Sequence, residues 1–282
     1  LMRTPSLRRF ALFLLLLGQL SVAKVLAPAG AERGLVLADL APHPINSKTY
    51  NEFWTYQLRL NNTIDLEVNI SRGNFGSFKE PVCGANVTLN NFKGANYSVA
   101  REYPVSNFIW SPSTARLQVH KKIFFEGNPP EKHRLFFETT KQGVTWKIDL
   151  TFEAIESSLI TGNGEWKIDG HTVGLAIHIP WAKVSGTLSV NEKTAAVTGT
   201  AMMDHVWQDD LASKMVNRAY RWRTHSASSN WEVAYLLVPK SGGTAVAGLS
   251  LQKKEGMVRM REVRSLQLLN SSVVGRVKEW PS

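Results

Sequence analysis

Residues 198–208 read T-G-T-A-M-M-D-H-V-W-Q, and they put an acid, an imidazole and an indole (Asp204, His205 and Trp207) within four residues. A strand-like segment precedes them, and the acidic pair Asp209 and Asp210, which should end any strand, follows. On an extended chain successive side chains point to opposite faces. Met203, His205 and Trp207 therefore share one face, and Met202, Asp204 and Val206 the other. In a regular strand Asp204 cannot orient His205 as a catalytic dyad; that would need a bulge. The plainer alternative is a strand end with a core tryptophan and a hydrogen-bonded aspartate.

Outward from this stretch the same alternation recurs. Residues 53–60 put Trp54, Tyr56, Leu58 and Leu60 on one face, and Trp146, Ile148, Leu150 and Phe152 share another. Val184, Gly186, Leu188 and Val190 alternate with polar residues, as do Trp231, Val233, Tyr235 and Leu237. Turn residues at 162–164, 169–170 and 241–243 separate such runs. Period-two alternation broken by turns predicts an all-β, antiparallel meander, a sandwich or barrel. The best short helical candidate is 211–218. Nine tryptophans, twelve phenylalanines and six tyrosines make either a tryptophan-rich core or a barrel lumen lined for a large apolar ligand.

The amino-terminal stretch has Arg3, Arg8 and Arg9, then the apolar run 11–20, then small residues. That is the pattern of a secretory signal peptide within 1–31, with cleavage after Ala23 or Ala31. The apolar run is too short for a bilayer span of about twenty residues. Sequons begin at Asn61, Asn69, Asn86, Asn96 and Asn270, which fits a secreted glycoprotein; a periplasmic protein with chance sequons is the alternative. Cys83 is the lone cysteine, so an intrachain disulfide cannot form. The net charge is +10, of which those three arginines contribute three, leaving +7. The basic residues are scattered among acids without a nucleic-acid motif, so no nucleic-acid partner is expected and at most a weak contact with anionic membrane. The oligomeric state is not readable.

No nucleophile elbow, phosphate loop, dinucleotide fingerprint or paired-histidine zinc motif is present. The seven histidines show no metal-ligand spacing, so neither a metal nor a cofactor is expected. His120 and His178 fall in strand-like segments and read as satisfied structural residues.

The E-F-W-T-Y-Q-L-R-L opening at 52–60, the D-H-V-W segment, and R-W-R-T-H-S-A-S-S-N-W-E-V-A-Y-L-L together resemble the AttH/CrtC family, which includes carotenoid 1,2-hydratase (hydroxyneurosporene synthase). The resemblance implies two packed lipocalin-like antiparallel β-barrels, at 34–208 and 209–282, the second short or truncated. Relatives include terpenoid hydratases, fungal Diels-Alderases and survival-factor-like lipid binders. By motif, Asp204, His205 and Tyr235 match the catalytic positions, while Trp54, Tyr56, Trp207, Trp222 and Trp231 are the candidate ligand-binding aromatics. Leu236 and Leu237 stand where the hydratases follow that tyrosine with an acid, and Gln208 replaces the signature glycine. Three roles follow: an enzyme hydrating or cyclising an apolar polyene, a carrier of an isoprenoid, polyene or lipid, or a structural module. The fold alone does not choose among them.

Overall fold

The computed structural model describes residues 25–26, 28–74, 79–225, 230–241 and 246–262. The signal-peptide stretch up to residue 24, Asn270 and the glycines of the 241–243 turn lie outside the described residues. The chain enters through β1 (Val25–Leu26), β2 (Glu32–Gly34) and a single helical turn, α1 (Leu37–Leu40). Antiparallel strands follow: β3 (Asn51–Leu60), β4 (Asp65–Gly73), β5 (Val82–Phe92) and β6 (Ala95–Pro104). The next run is β7 (Ile109–Ser111), β8 (Arg116–His120), β9 (Ile123–Glu126), β10 (His133–Lys141) and β11 (Val144–Glu153). β12 (Leu159–Thr161) and β13 (Glu165–Ile168) lead into two long strands, β14 (His171–Val190) and β15 (Lys193–Gln208). After α2 (Ala212–Met215) come β16 (Val216–His225), β17 (Trp231–Pro239), β18 (Val246–Lys254) and β19 (Met257–Glu262).

Twelve strands form one sheet in the order β6-β5-β4-β3-β15-β14-β11-β10-β9-β8-β7, with β13 paired to β14. The alternation seen in the sequence sets its inner face. Trp54, Tyr56, Leu58 and Leu60 of β3, and Trp146, Ile148, Leu150 and Phe152 of β11, are all buried in one core. The sheet curls around that core until its two halves meet. Tyr97 of β6 sets its ring edge-on to Trp146 of β11, centroids 6.0 Å apart, and the Cys83 thiol on β5 reaches the Val119 carbonyl on β8. Among the described residues no ladder joins β6 to β7, so the shell is curled rather than sealed. Its interior is a packed core, with Trp54, Tyr56, Phe125 and Phe137 fully buried, as expected where side chains fill a small barrel. Of the two readings of the aromatic content, a packed core or a lined lumen, these residues take the packed core.

The second sheet has five strands, β1-β18-β17-β16 with β19 on β18. It packs on the long strands of the first. Val173, Leu175 and Ile177 of β14 and Met202 of β15 join Trp231, Val233, Leu249 and Leu251 in a second core, so that core draws on residues before and after Asp209. Register shifts in the β14–β15 ladder fall between Ile177 and Ile179 and between Ile179 and Ala182. There β14 passes from one core to the other, and bulges supply the required bend. The 211–218 segment departs from the helical expectation: α2 is one turn, and the chain is extended from Val216, where a β-branched residue opens β16.

Candidate functional site

β15 runs unbroken through the D-H-V-W stretch in register with β3: Asp204 opposite Thr55, His205 opposite Trp54, Trp207 opposite Glu52. The faces therefore alternate as the sequence requires, and Asp204 and His205 belong to two different polar clusters.

On the inner face, His205 is fully buried and stacks on Trp54, ring centroids 4.3 Å apart. Its Nε2 lies 2.7 Å from Glu52 Oε1 and its Nδ1 lies 3.2 Å from the Asp39 carbonyl. Glu52 also accepts the His43 backbone N–H at 2.7 Å and the Tyr50 hydroxyl. Burial alone would raise the Glu52 carboxyl, but the donors from His205, His43 and Tyr50 outweigh it and hold the group down to about 2. Burial pushes His205 below its ordinary value, against the pull of Glu52. We take Glu52 as the settled carboxylate, because three donors converge on it. A neutral His205 has one N–H for two facing acceptors, so one contact is left without a proton. The His43 ring stacks on Trp207 at 4.0 Å, nearly parallel. Trp207 donates Nε1–H to Glu165 and lies over Gly174, where an added Cβ would meet the indole at 1.9 Å.

Sequence spacing pointed to no metal, yet folding gathers a potential ligand set. His43, Glu52 and His205 each offer one ligand atom, and these lie within 4.8 Å of one another. His178 stacks beside His205 at 5.7 Å; it bonds the Asp39 backbone, while its buried Nε2 has no partner among the described residues. Neither Glu52 nor His43 was singled out from the sequence, because their roles depend on a partner far along the chain.

On the outer face, Asp204 meets the second sheet. Its Oδ2 accepts Arg221 Nη1–H at 2.7 Å and the Tyr235 hydroxyl at 2.5 Å. The carboxylate missing next to Tyr235 in sequence is thus supplied by β15. Glu232, the nearest acid in sequence, instead accepts from Ser250. Burial, then the charge of Asp204, raises the Tyr235 phenol well above its usual value and keeps it protonated.

The other candidate aromatics do not share one cavity. Trp54 and Tyr56 lie in the first core, Tyr56 bonded to His133 at 2.6 Å. Trp207 sits in a small third cluster with Tyr50, Ile160 and Ala176. Trp231 is in the second core, and Trp222 is half-buried on β16. Of the described sequon asparagines, Asn61, Asn86 and Asn96 are exposed and Asn69 is half-buried opposite Asn86.

The architecture has solved counterparts. A protein assigned as AttH from Nitrosomonas europaea matches over 82% of this chain and 73% of its own, at 12% identity and a TM-score of 0.57. CghA in complex with Sch210972 matches over 75% of this chain, at 13% identity and a TM-score of 0.55; this chain spans 60% of that protein. No family model and no curated protein sequence matches the chain. At these identities the likeness concerns fold: the chain has the AttH-type, lipocalin-like all-β architecture.

Proposed function

We propose that a chain of this AttH-type architecture is a secretory-pathway protein that binds a large hydrophobic small molecule, an isoprenoid, polyene or lipid carrying a hydrogen-bond acceptor. The site is the apolar layer between the two sheets. One observation carries the assignment: Trp166 and Trp231 are both buried in that layer, and neither indole N–H finds an acceptor among the described residues. Buried indoles ordinarily do. A ligand carbonyl or hydroxyl supplies what they lack, and the surrounding Leu249, Leu251, Val233 and Met202 suit its apolar body.

Secretion rests on the signal-like leader and on sequon asparagines that face solvent. Cleavage after Ala23 retains Val25–Leu26, which pair with Val246 and Ala247; cleavage after Ala31 removes them. Binding is tested by quenching of tryptophan fluorescence with a ketone or alcohol of an apolar chain and with the matching hydrocarbon. The wild-type protein should prefer the oxygenated ligand. Trp231→Phe and Trp166→Phe should each cost about 1 kcal/mol for that ligand alone. Equal losses for both ligands would reduce the indoles to apolar contacts and sink the assignment.

A catalytic reading is favoured by one contact, the Tyr235 hydroxyl against Asp204 Oδ2 in the same layer. Asp204 is ion-paired with Arg221, so it suits accepting a proton or stabilising developing positive charge better than protonating an olefin, which needs a desolvated neutral acid. Cyclisation of a folded polyene fits that geometry better than hydration does. Asp204→Asn should then abolish turnover of a bound polyene while leaving its binding intact.

A further inference from the structure

We propose that His43, Glu52 and His205 bind one divalent transition-metal ion of the zinc class, a site separate from the apolar layer and independent of the ligand assigned to it. Two imidazole nitrogens and one carboxylate oxygen, all within 4.8 Å, are the donor types that zinc takes, and three protein ligands leave a fourth position open. Glu52 Oε1 is 2.7 Å from His205 Nε2 and 3.7 Å from His43 Nδ1. Metal–ligand bonds of about 2.0–2.2 Å place tetrahedral ligand atoms roughly 3.3–3.6 Å apart, and the two observed separations bracket that range.

The surroundings also fit a cation. With Nδ1 at the Asp39 carbonyl and Nε2 at Glu52 Oε1, a neutral His205 lacks a proton for one of its two acceptors; an ion held between Nε2 and Glu52 takes the place of the proton there and leaves Nδ1–H for the carbonyl. That Nδ1 contact and the Tyr50 hydroxyl on Glu52 are the outer contacts that fix ligand orientation in metal sites. His43 Nδ1 is buried without a hydrogen-bond partner among the described residues, and its ring is held flat on Trp207. Glu52 and His205 are inaccessible, whereas the His43 side chain is 26% exposed, so His43 is the ligand nearest solvent.

The test uses untagged protein stripped with a chelator, then titrated calorimetrically with Zn²⁺ and followed by visible absorbance with Co²⁺. Wild-type protein should bind one equivalent and give the intense visible bands of four-coordinate cobalt. His43→Ala, at the partly exposed ligand, should weaken Zn²⁺ binding about tenfold or more, with folding checked by circular dichroism. His120→Ala, at an imidazole stacked on Tyr103, should leave the affinity unchanged. Less than one equivalent bound by the wild type overturns the proposal without recourse to any variant. So does equal affinity in His43→Ala, or an equal loss in His120→Ala.

Discussion

Gly174 and Trp207 show how narrowly single residues set the site. The indole occupies the space that a side chain at position 174 would need. Gly174→Ala must displace either the strand or the ring, and overpacking of this kind costs about 1–3 kcal/mol. Urea denaturation should show that loss, together with a changed environment of Trp207 fluorescence. His133 sets a pH dependence of its own. Burial pushes its imidazole down to about 4, while Nδ1 faces the Gly127 carbonyl and Nε2 faces the Tyr56 hydroxyl, an arrangement suited to a neutral ring. The unfolded chain takes up this proton near pH 6.5 and the folded chain only near 4. Stability from this group is therefore complete above about pH 6.5 and falls as the pH drops towards 4, by about 3 kcal/mol in all. His133→Gln should flatten that part of the stability profile; an unchanged profile would show that the ring titrates normally.

At the scale of elements, β14 and β15 matter most because each serves two cores. Asp204 on β15, Arg221 on β16 and Tyr235 on β17 form a polar tie between the sheets. Asp204→Asn should cost about 1–3 kcal/mol, since among the described residues Arg221 keeps only the Glu67 carboxylate 3.9 Å away as counter-charge. Combined with Tyr235→Phe, the losses should fall short of additive, because Asp204→Asn weakens the charge-assisted hydrogen bond that Tyr235→Phe removes. Additivity within about 0.3 kcal/mol would mean that the two residues do not interact. Strand alternation made β3, β11, β15 and the face assignment around His205 legible in the sequence, because a period of two is a local signal. The partners were not legible. Glu52 is 153 residues from His205 and Asp204 is 31 from Tyr235, and each pairing depends on which strands become neighbours. The 211–218 segment was misleading for the converse reason: a single turn has too few residues to reveal that Val216 leaves it.

Across the whole molecule, the first core is filled by its own aromatics and the second is shared between the two sheets; the proposed ligand is assigned to that shared layer on the two indoles, Trp166 and Trp231, that find no acceptor among the described residues. The exposed sequon asparagines lie on the β3–β6 side of the first sheet. Enzymatic deglycosylation of protein secreted from a eukaryotic host should lower its mass by whole glycans; an unchanged mass would remove the sequons as support for secretion. The ligand assignment itself is met most directly by native mass spectrometry of the same secreted protein, followed by solvent extraction. A stoichiometric adduct that extracts as an oxygenated isoprenoid, polyene or lipid is the expected result. Folded protein at its bare polypeptide-plus-glycan mass, with tryptophans that no apolar ligand quenches, would contradict it.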